Sequence, residues 1–244
     1  MKGYIEQPTL FGHPAVVGFG NDVFAVKEID RNKANALIIA NHYSGKTYNL
    51  SKVHLGVFIG GDLLGVLQYG LAMNPASASS VVEGTASDEY LELNRMWLDD
   101  AAPRNTASRA LSYSIKYIKR KLPKVAWIQS FADERCGKLG LVYQSANFTF
   151  HGEHKSVFWE LDGVFYHNIA MTTIGESATY ASARMLQANK DRAKAHEYRQ
   201  FRYLYFVKKS ARRRVRHQER EAPKWYKEIE EGETASHEQA QDVH

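Results

Sequence analysis

The sequence predicts an α+β fold with a central mixed sheet flanked by helices. Apolar residues make up 44% of the 244 residues, which is enough for a sizeable core. Short apolar runs of strand length alternate with segments of helical period. In order, they predict a strand, a helix, a hairpin, a strand, a helix, a strand, a helix and a hairpin. This order indicates a partly antiparallel sheet with helices on both sides of a split.

The first segments form one edge of the predicted sheet. Residues 1–20 are rich in Pro and Gly and predict a loop or short strands along that edge. A strand is predicted over 23–29, and Asp30 is placed to cap a helix over 32–42. The last residues of this helix, Asn-His-Tyr-Ser-Gly-Lys, bring polar, reactive side chains to a glycine stop. Such a helix end suits a pocket, and the alternative is an ordinary C-cap with an exposed His42.

The middle of the chain supplies a hairpin and the central strand. Strands over 53–59 and 63–70 flank Gly-Gly-Asp, which is a hairpin signal. Residues 71–87 are rich in Ala, Ser and Gly and predict an irregular crossing. The strand over 90–98 and the amphipathic helix over 105–121 follow, joined by a polar turn.

The start of that helix is a candidate receptor for an anion. Backbone N–H groups at a helix N-terminus attract negative charge, and donor side chains are concentrated in this turn. The donors are Arg104, Asn105, Ser108 and Arg109.

Further candidates follow the next strand, predicted over 125–131. Asp133 comes just past its end, where open α/β sheets place their ligands, although a loop carboxylate in water is the alternative. A short helix over 141–146 contains Tyr143, and a hairpin is predicted over 149–161.

The positive charge of the chain is concentrated late. Residues 1–183 contain 17 Lys and Arg against 17 Asp and Glu, whereas residues 184–227 contain 15 against 4. Residues 177–220 contain neither Pro nor Gly and predict one long helix, whose aromatic side would pack on the domain or on a second copy in a homodimer. Phosphate contact and a merely solvated helix both fit the basic run. Its cations are Lys208, Lys209, Arg212, Arg213, Arg214 and Arg216.

These features predict three regions: a catalytic domain over 1–163, a basic helical extension over 164–227 and an acidic, disordered tail over 228–244. The single cysteine, Cys136, excludes an internal disulfide framework and a cysteine-cluster zinc site, which favours a reducing cytoplasm. No run is long and apolar enough for a membrane span, and no secretory leader opens the chain, so we expect no membrane partner.

The order of elements resembles the GCN5-related N-acetyltransferases. Gly-Leu-Val-Tyr-Gln-Ser-Ala-Asn-Phe is similar to the late helix of that fold, which implies that Tyr143 acts as a general acid toward the leaving group. Those enzymes bind coenzyme A at a glycine-rich turn. The corresponding turn here, Ala-Ala-Pro-Arg-Asn-Thr-Ala-Ser-Arg, has no glycine, so a coenzyme A thioester is the less favoured donor.

A closer resemblance is to the Mom DNA-modification family of Mu-like phages. It rests on Ala-Asn-His-Tyr-Ser-Gly-Lys, Val-Glu-Gly-Thr, Glu-Leu-Asn-Arg-Met, Pro-Arg-Asn, Ser-Arg-Ala-Leu and Ser-Phe-Ala-Asp, in this order over residues 35–160. The resemblance implies conversion of adenine to N6-carbamoylmethyladenine in double-stranded DNA, in the cytoplasm of the host bacterium, as protection against restriction. The family positions thought functional match His42, Tyr43, Ser108, Asp133 and Tyr143.

The product suggests a donor and roles for these residues. A carbamoylmethyl group on N6 is an isomer of a glycyl group, so we hypothesise glycyl transfer from an aminoacyl-tRNA followed by rearrangement. Asp133 or His42 would accept the N6 proton, and Tyr43 would stack on a flipped base. Ser108 would hold the donor, and Asn94, Arg95 and Arg104 would line the mouth of the site.

Three alternatives stay open. The resemblance associates iron with the family, to which His42, Tyr43 and Tyr143 could contribute ligands, but the sequence shows no metal-ligand spacing. A coenzyme A-dependent N-acetyltransferase acting on a protein or small amine is a second function, and a non-catalytic protein that masks DNA is a third.

Overall fold

The computed structural model describes residues 3–9, 13–137, 139–172 and 181–224. Within them the strands are β1 Tyr4–Gln7, β2 Ala15–Gly20, β3 Phe24–Glu28, β4 Ser51–Ile59, β5 Asp62–Gly70, β6 Tyr90–Leu98, β7 Trp127–Asp133, β8 Thr149–Leu161, β9 Val164–His167 and β10 Lys194–Phe206. The helices are α1 Arg31–Asn41, α2 Ala78–Val81, α3 Thr106–Lys121, α4 Leu141–Ser145, α5 Ile169–Thr172, α6 Ala181–Ala188 and α7 Lys209–Arg213. The hydrogen-bonded strand order is β1-β2-β3-β4-β5-β6-β7-β10-β8-β9.

The chain forms two compact units. The first comprises residues 1–131, 140–151 and 203–220, and the second comprises residues 132–139, 152–202 and 221–244, as far as these are described. The predicted mixed sheet with flanking helices is confirmed.

In the first unit, β1 to β6 form an antiparallel meander, and β6 pairs with β7 in parallel. Parallel strands need a crossover, which α3 supplies. The parallel pairing covers only three residue pairs, from Tyr90 opposite Trp127 to Glu92 opposite Gln129. Within the described residues, β6 therefore does not pair with β7 beyond Glu92.

Helices α1 and α3 lie on opposite faces of the sheet. Gln68 Nε2 on β5 donates a hydrogen bond to Asn35 Oδ1 of α1 at 2.9 Å. The next residue, Tyr69, has its hydroxyl 2.6 Å from Ser114 Oγ of α3. Because successive side chains of a strand point to opposite faces, these two contacts assign one helix to each face.

The two main helices follow their sequence signals. Asp30 caps α1 and accepts hydrogen bonds from the backbone N–H groups of Asn32 at 2.8 Å and Lys33 at 3.2 Å. In α3 the predicted apolar face is buried against the sheet. Its predicted members are Ala110, Leu111, Ile115 and Ile118.

The predicted long helix over 177–220 is wrong. The described part of this stretch contains α6, the strand β10 and the short α7. Tyr198, Phe201 and Tyr205 have helical spacing, but Phe201, Tyr203 and Tyr205 also alternate with period two. Aromatic residues favour strands, and Phe201 and Tyr203 are fully buried in the sheet. The predicted extension over 164–227 thus contributes a strand to the sheet, while the predicted tail over 228–244 lies outside the described residues.

The predicted hairpin over 149–161 is also wrong, because these residues form one strand, β8. Its partner is β9, which pairs with it from Phe158 opposite His167 to Leu161 opposite Val164. The turn is Asp162-Gly163, with φ of 51° and 78°. Both residues have positive φ, as a type I′ hairpin turn requires, so Asp-Gly was the signal that locates the hairpin.

Candidate functional site

A polar cluster lies in the first unit at the end of the parallel pairing of β6 with β7. Gln129 Nε2 donates to Glu92 Oε2 at 2.7 Å, and Asn94 Nδ2 donates to Glu92 Oε1 at 3.2 Å. Ser51 Oγ in turn donates to Asn94 Oδ1 at 3.0 Å. Two amide groups therefore hold one carboxylate on the central strand.

A β-bulge shapes this cluster. Gln68 is opposite Arg95 while Tyr69 is opposite Leu93, so Asn94 is an extra residue on β6. Side chains of opposed residues share a face of the sheet, and Gln68 contacts α1. Arg95 is therefore on the α1 face.

Arg95 connects β6 to the loop after α1. Its Nη1 donates to the carbonyl of Asn94 at 2.7 Å, and its Nε donates to the carbonyl of Lys46 at 3.2 Å. Its guanidinium carbon lies 5.4 Å from the centre of the Tyr48 ring. Burial lowers the pKa of Arg95, and the nearby Tyr43, Tyr48 and Glu92 oppose that effect.

His42 begins the same loop, directly after α1. Its Nδ1 accepts a hydrogen bond from the backbone N–H of Ser44 at 3.2 Å and lies 2.8 Å from Ser44 Oγ. Burial and then the charge of Arg95 lower the pKa of His42 to about 4. The ring is therefore neutral at pH 7, and its proton is on Nε2 because Nδ1 is an acceptor. In this state His42 offers a hydrogen-bond donor rather than a proton acceptor.

Tyr43 presents an aromatic surface beside His42. The two ring centres are 4.2 Å apart with an interplanar angle of 35°. Tyr43 is 62% exposed, which is unusual for a large aromatic side chain. The ring is thus available to stack on a planar ligand.

A cavity of about 480 Å³ lies at the N-terminus of α3, which packs on the other face of the sheet. The four donor residues predicted for this turn all line it: Arg104, Asn105, Ser108 and Arg109. Asn105 adopts a left-handed conformation, with φ of 67°. In the first turn, the N–H group of Thr106 donates a hydrogen bond to the carbonyl of Pro103, and that of Arg109 donates to the carbonyl of Asn105. The N–H groups of Ala107 and Ser108 have no backbone or side-chain acceptor within the described residues.

Cations and aromatic rings alternate along the outer side of α3. The Arg109 guanidinium lies 4.0 Å from the Phe24 ring centre, and Lys116 Nζ lies 4.6 Å from that of Phe19. Tyr113 makes edge contacts with both of these phenyl rings. Arg109, Lys116 and Arg120 are exposed. We call Arg109, Tyr113, Lys116 and Arg120 the α3 stripe.

Tyr143 lies on α4 in the first unit. Its hydroxyl donates to the carbonyl of Phe131 at 3.4 Å, and its ring centre is 5.4 Å from that of Tyr203. It is placed among aromatic side chains, with its hydroxyl directed to the backbone of β7.

Asp133 belongs to the second unit and is paired with Arg135. Arg135 Nε donates to both carboxylate oxygens, at 3.1 and 3.0 Å. Burial raises the pKa of Asp133, but the hydrogen bonds and charge of Arg135 outweigh it, so the pKa is below its ordinary value. A carboxylate held in this way is a weak proton acceptor.

The basic arm is held by ion pairs within the chain. Arg212 pairs with Glu219 at 2.8 Å, and Arg216 pairs with Glu83 at 3.1 Å. Arg214 Nη1 donates to the carbonyl of Glu83 at 2.7 Å. In the described part of the chain, Lys209 and Arg213 have no ion pair, and Lys208 Nζ donates to the carbonyl of Lys124 at 3.2 Å. Most of the arm's arginines therefore fasten it to residues of the chain itself.

No group of three or more His, Cys, Asp or Glu side chains arranged to hold a metal ion occurs in the described ranges. Of the three residues named for iron, His42 and Tyr43 adjoin each other, whereas Tyr143 directs its hydroxyl to the carbonyl of Phe131.

The model of the Mom protein family matches residues 23–224. The chain belongs to the Mom family. Methylcarbamoylase mom of Escherichia phage Mu is 49% identical over 203 residues, which are 82% of either chain. The residues that the family model matches include both the polar cluster on β6 and the start of α3. None of the described helices has the length and apolar character needed to cross a membrane.

Solved structures with a similar course of the chain are acetyltransferases and related proteins. Ribosomal-protein-S5-alanine acetyltransferase from Vibrio fischeri is 12% identical with a TM-score of 0.46, covering 78% of this chain and 96% of its own. Arabidopsis thaliana NAA60 in complex with acetyl-CoA is 9% identical with a TM-score of 0.47, covering 75% and 99%.

The structure brings together four of the predicted site residues and adds three. His42, Tyr43, Asn94 and Arg95 meet on the α1 face in this Mom-family chain, whereas Ser108 and its neighbours line the α3 cavity. Sequence reasoning missed Tyr48, Glu92 and Gln129. The motif Glu-Leu-Asn-Arg contained Glu92, but only the pairing with Gln129 identifies its carboxylate as part of a site.

Proposed function

We propose that this chain converts adenine in DNA to N6-carbamoylmethyladenine and so protects phage DNA from restriction. Its membership of the Mom family and its relative named methylcarbamoylase support a DNA-modifying transferase. The observation that carries the proposal is the presence of two polar sites on opposite faces of the sheet. A group transfer between two large substrates needs a separate binding surface for each substrate. The two faces of the sheet supply these two surfaces.

The α1 face is the acceptor side of the proposal. An adenine inside a duplex cannot reach a pocket, so the base flips out of the helix. The exposed Tyr43 ring offers a stacking surface for it. The Nε2–H of His42 is a donor for the carbonyl oxygen on which negative charge develops during acyl transfer.

The α3 face is the donor side. Its cavity is lined by Ser108, whose backbone N–H has no acceptor among the described residues, and by Arg104 and Arg109. The glycine-free turn favours a donor other than coenzyme A, and we propose the glycyl ester of an aminoacyl-tRNA. The α3 stripe suits such a donor because exposed cations beside aromatic rings bind phosphates and bases.

The reaction balances without a further reactant. N6 attacks the ester carbonyl carbon, the ester C–O bond breaks, and the ribose hydroxyl leaves with a proton, for which Tyr143 is the proposed source. The free glycyl amine then attacks C6 in a five-membered ring. Cleavage of the C6–N6 bond leaves the glycine nitrogen on C6 and the former N6 as the terminal amide. The pairing of Asp133 with Arg135 makes it a poor acceptor for the N6 proton, so another base is needed.

Nucleoside mass spectrometry of plasmid DNA from cells expressing the protein tests this function. We expect deoxyadenosine to gain the mass of one glycyl equivalent and to carry label from isotopic glycine. His42→Ala should reduce the yield by about 10²–10³-fold, as the loss of an oxyanion donor does. His13→Ala, at an exposed position, is the matched control. An acetyl mass would favour the coenzyme A-dependent alternative, and unmodified DNA from folded protein would favour the masking protein.

A further inference from the structure

The polar cluster on β6 contains buried atoms that have no partner. The Tyr48 hydroxyl and Gln129 Oε1 are buried and make no hydrogen bond within the described structure. Gln129 is only 4% exposed. A buried polar group without a partner destabilises the fold and therefore indicates a bound ligand or water. Gln129 is hydrogen-bonded to Glu92, and Tyr48 lies near enough for the charge of Glu92 to raise its pKa.

Glu92 is the carboxylate at the centre of this cluster. Its oxygens accept amide hydrogen bonds from Gln129 and from Asn94. An ionised carboxylate accepts hydrogen bonds at about four lone-pair positions, which is more than these two amides use. Glu92 is half-buried rather than enclosed, and its position at the end of the β6–β7 pairing makes it accessible to a ligand.

The cluster therefore presents acceptors beside one donor. Glu92 and Gln129 Oε1 accept, and the Tyr48 hydroxyl donates. Burial first, and then the charge of Glu92, raise the pKa of Tyr48 to about 12, so its proton is retained at neutral pH. A ligand that matches this pattern has an amino group next to an unprotonated ring nitrogen. Adenine has this pattern on its Watson–Crick edge in N6–H₂ and N1, as cytosine does in N4–H₂ and N3. Guanine and thymine present a protonated ring nitrogen on that edge.

We propose that Glu92 and Tyr48 recognise the amino edge of a flipped adenine, with Glu92 as the acceptor of the N6 proton and Tyr48 as the donor to N1. This inference rests on the proposed function and deepens it. As the bond between N6 and the donor's carbonyl carbon forms and the ester C–O bond breaks, the N6 proton moves to the Glu92 carboxylate. Gln129 and Asn94 are positioning residues that aim this carboxylate.

The role of Glu92 is tested by Glu92→Gln, Glu92→Asp and Glu6→Gln in single-turnover modification of a DNA oligonucleotide. We expect Glu92→Gln to lose about 10²–10⁴-fold in rate, the usual contribution of a general base. Glu92→Asp should recover part of the rate, and Glu6→Gln, an exposed change of the same chemistry, should equal the wild type. The wild-type rate should fall at acid pH as Glu92 is protonated, and this limb should vanish in Glu92→Gln.

The role of Tyr48 is tested with base analogues. Tyr48→Phe on adenine and the wild type on 1-deazaadenine should each lose about 3–10-fold, as expected for one hydrogen bond. Tyr48→Phe on 1-deazaadenine should lose no more than either alone, because both changes remove the same bond. 7-Deazaadenine, which retains N1, should react at the wild-type rate.

The outcomes separate this inference from the function on which it rests. Wild-type protein that leaves DNA unmodified refutes the proposed function. Wild-type protein that modifies DNA, with Glu92→Gln folded, equally fast and unchanged in its pH profile, refutes the role of Glu92 alone. Independent losses for Tyr48→Phe and 1-deazaadenine, which multiply in combination, refute the contact between Tyr48 and N1.

Discussion

Gly70 determines how closely the loop before β4 approaches β6. A Cβ atom at this position would lie 2.0 Å from the carbonyl oxygen of Leu50 and 2.7 Å from Asn94 Oδ1. The same carbonyl accepts the N–H of Leu71 at 3.2 Å. Gly70→Ala should therefore lower the free energy of unfolding by about 1–3 kcal/mol, as overpacking does, and reduce modification by displacing Asn94. Urea denaturation and the oligonucleotide assay measure the two effects.

Gly60→Ala is the control for Gly70→Ala. Gly60 lies in the turn between β4 and β5 with φ of 58°, and a Cβ there would meet nothing within 4 Å. Only the backbone strain of a left-handed residue remains, about 1–2 kcal/mol, and activity should survive. If Gly70→Ala behaved like Gly60→Ala in both assays, the close approach would have no role in the site.

The same residues show how far sequence alone identifies the site. His42 and Tyr43 were predicted because they lie at the end of a helix, and a helix end can be recognised from residues that are neighbours in the sequence. Glu92 and Gln129 are 37 positions apart, and their contact depends on the register of a parallel pair, which no local pattern specifies. Tyr48 was missed for the same reason, because its surroundings come from β6 and not from its neighbours in sequence.

At the scale of elements, the basic arm has two kinds of arginine. Arg214 donates to the carbonyl of Glu83 and lies 3.8 Å from Glu89, whereas Arg213 is exposed and has no ion pair among the described residues. Arg214→Ala should lower the free energy of unfolding by about 1 kcal/mol, and Arg213→Ala should change it by less than about 0.5 kcal/mol. Thermal denaturation of the two variants compares them directly.

Arg213→Ala should affect the binding of nucleic acid more than Arg214→Ala does. Arg213→Ala should weaken binding and make it less dependent on salt, because one phosphate contact is lost. Equal stability of the two variants would mean that Arg214 does not fasten the arm. The two arginines differ in burial, which composition does not show. Composition was enough to recognise the run of positive charge. It was not enough to recognise β10, because helical and strand spacings both fit the aromatic residues of that strand.

For the whole molecule, pH should govern stability through buried histidines. Burial is the largest cause that lowers the pKa of His42, His54, His151, His154 and His167. The unfolded chain then binds more protons than the folded one as pH falls below about 6.5, so the free energy of unfolding decreases in that range. The lowered pKa values of Asp133 and Glu134 act in the same direction at more acid pH, because their stabilisation is lost as they are protonated.

His151 allows this pH dependence to be assigned to a residue. Its ring is buried, with Nδ1 2.7 Å from the carbonyl oxygen of His217 and Nε2 2.8 Å from Thr149 Oγ1. His151→Asn should lower the free energy of unfolding at pH 7.5 by about 1–3 kcal/mol, because buried hydrogen bonds are lost. Between pH 7.5 and 5.0 the variant should lose less stability than the wild type. Its unfolding no longer exposes this buried histidine to take up a proton. Urea midpoints at both pH values measure this, and a wild-type midpoint that is constant or rises on acidification would contradict it.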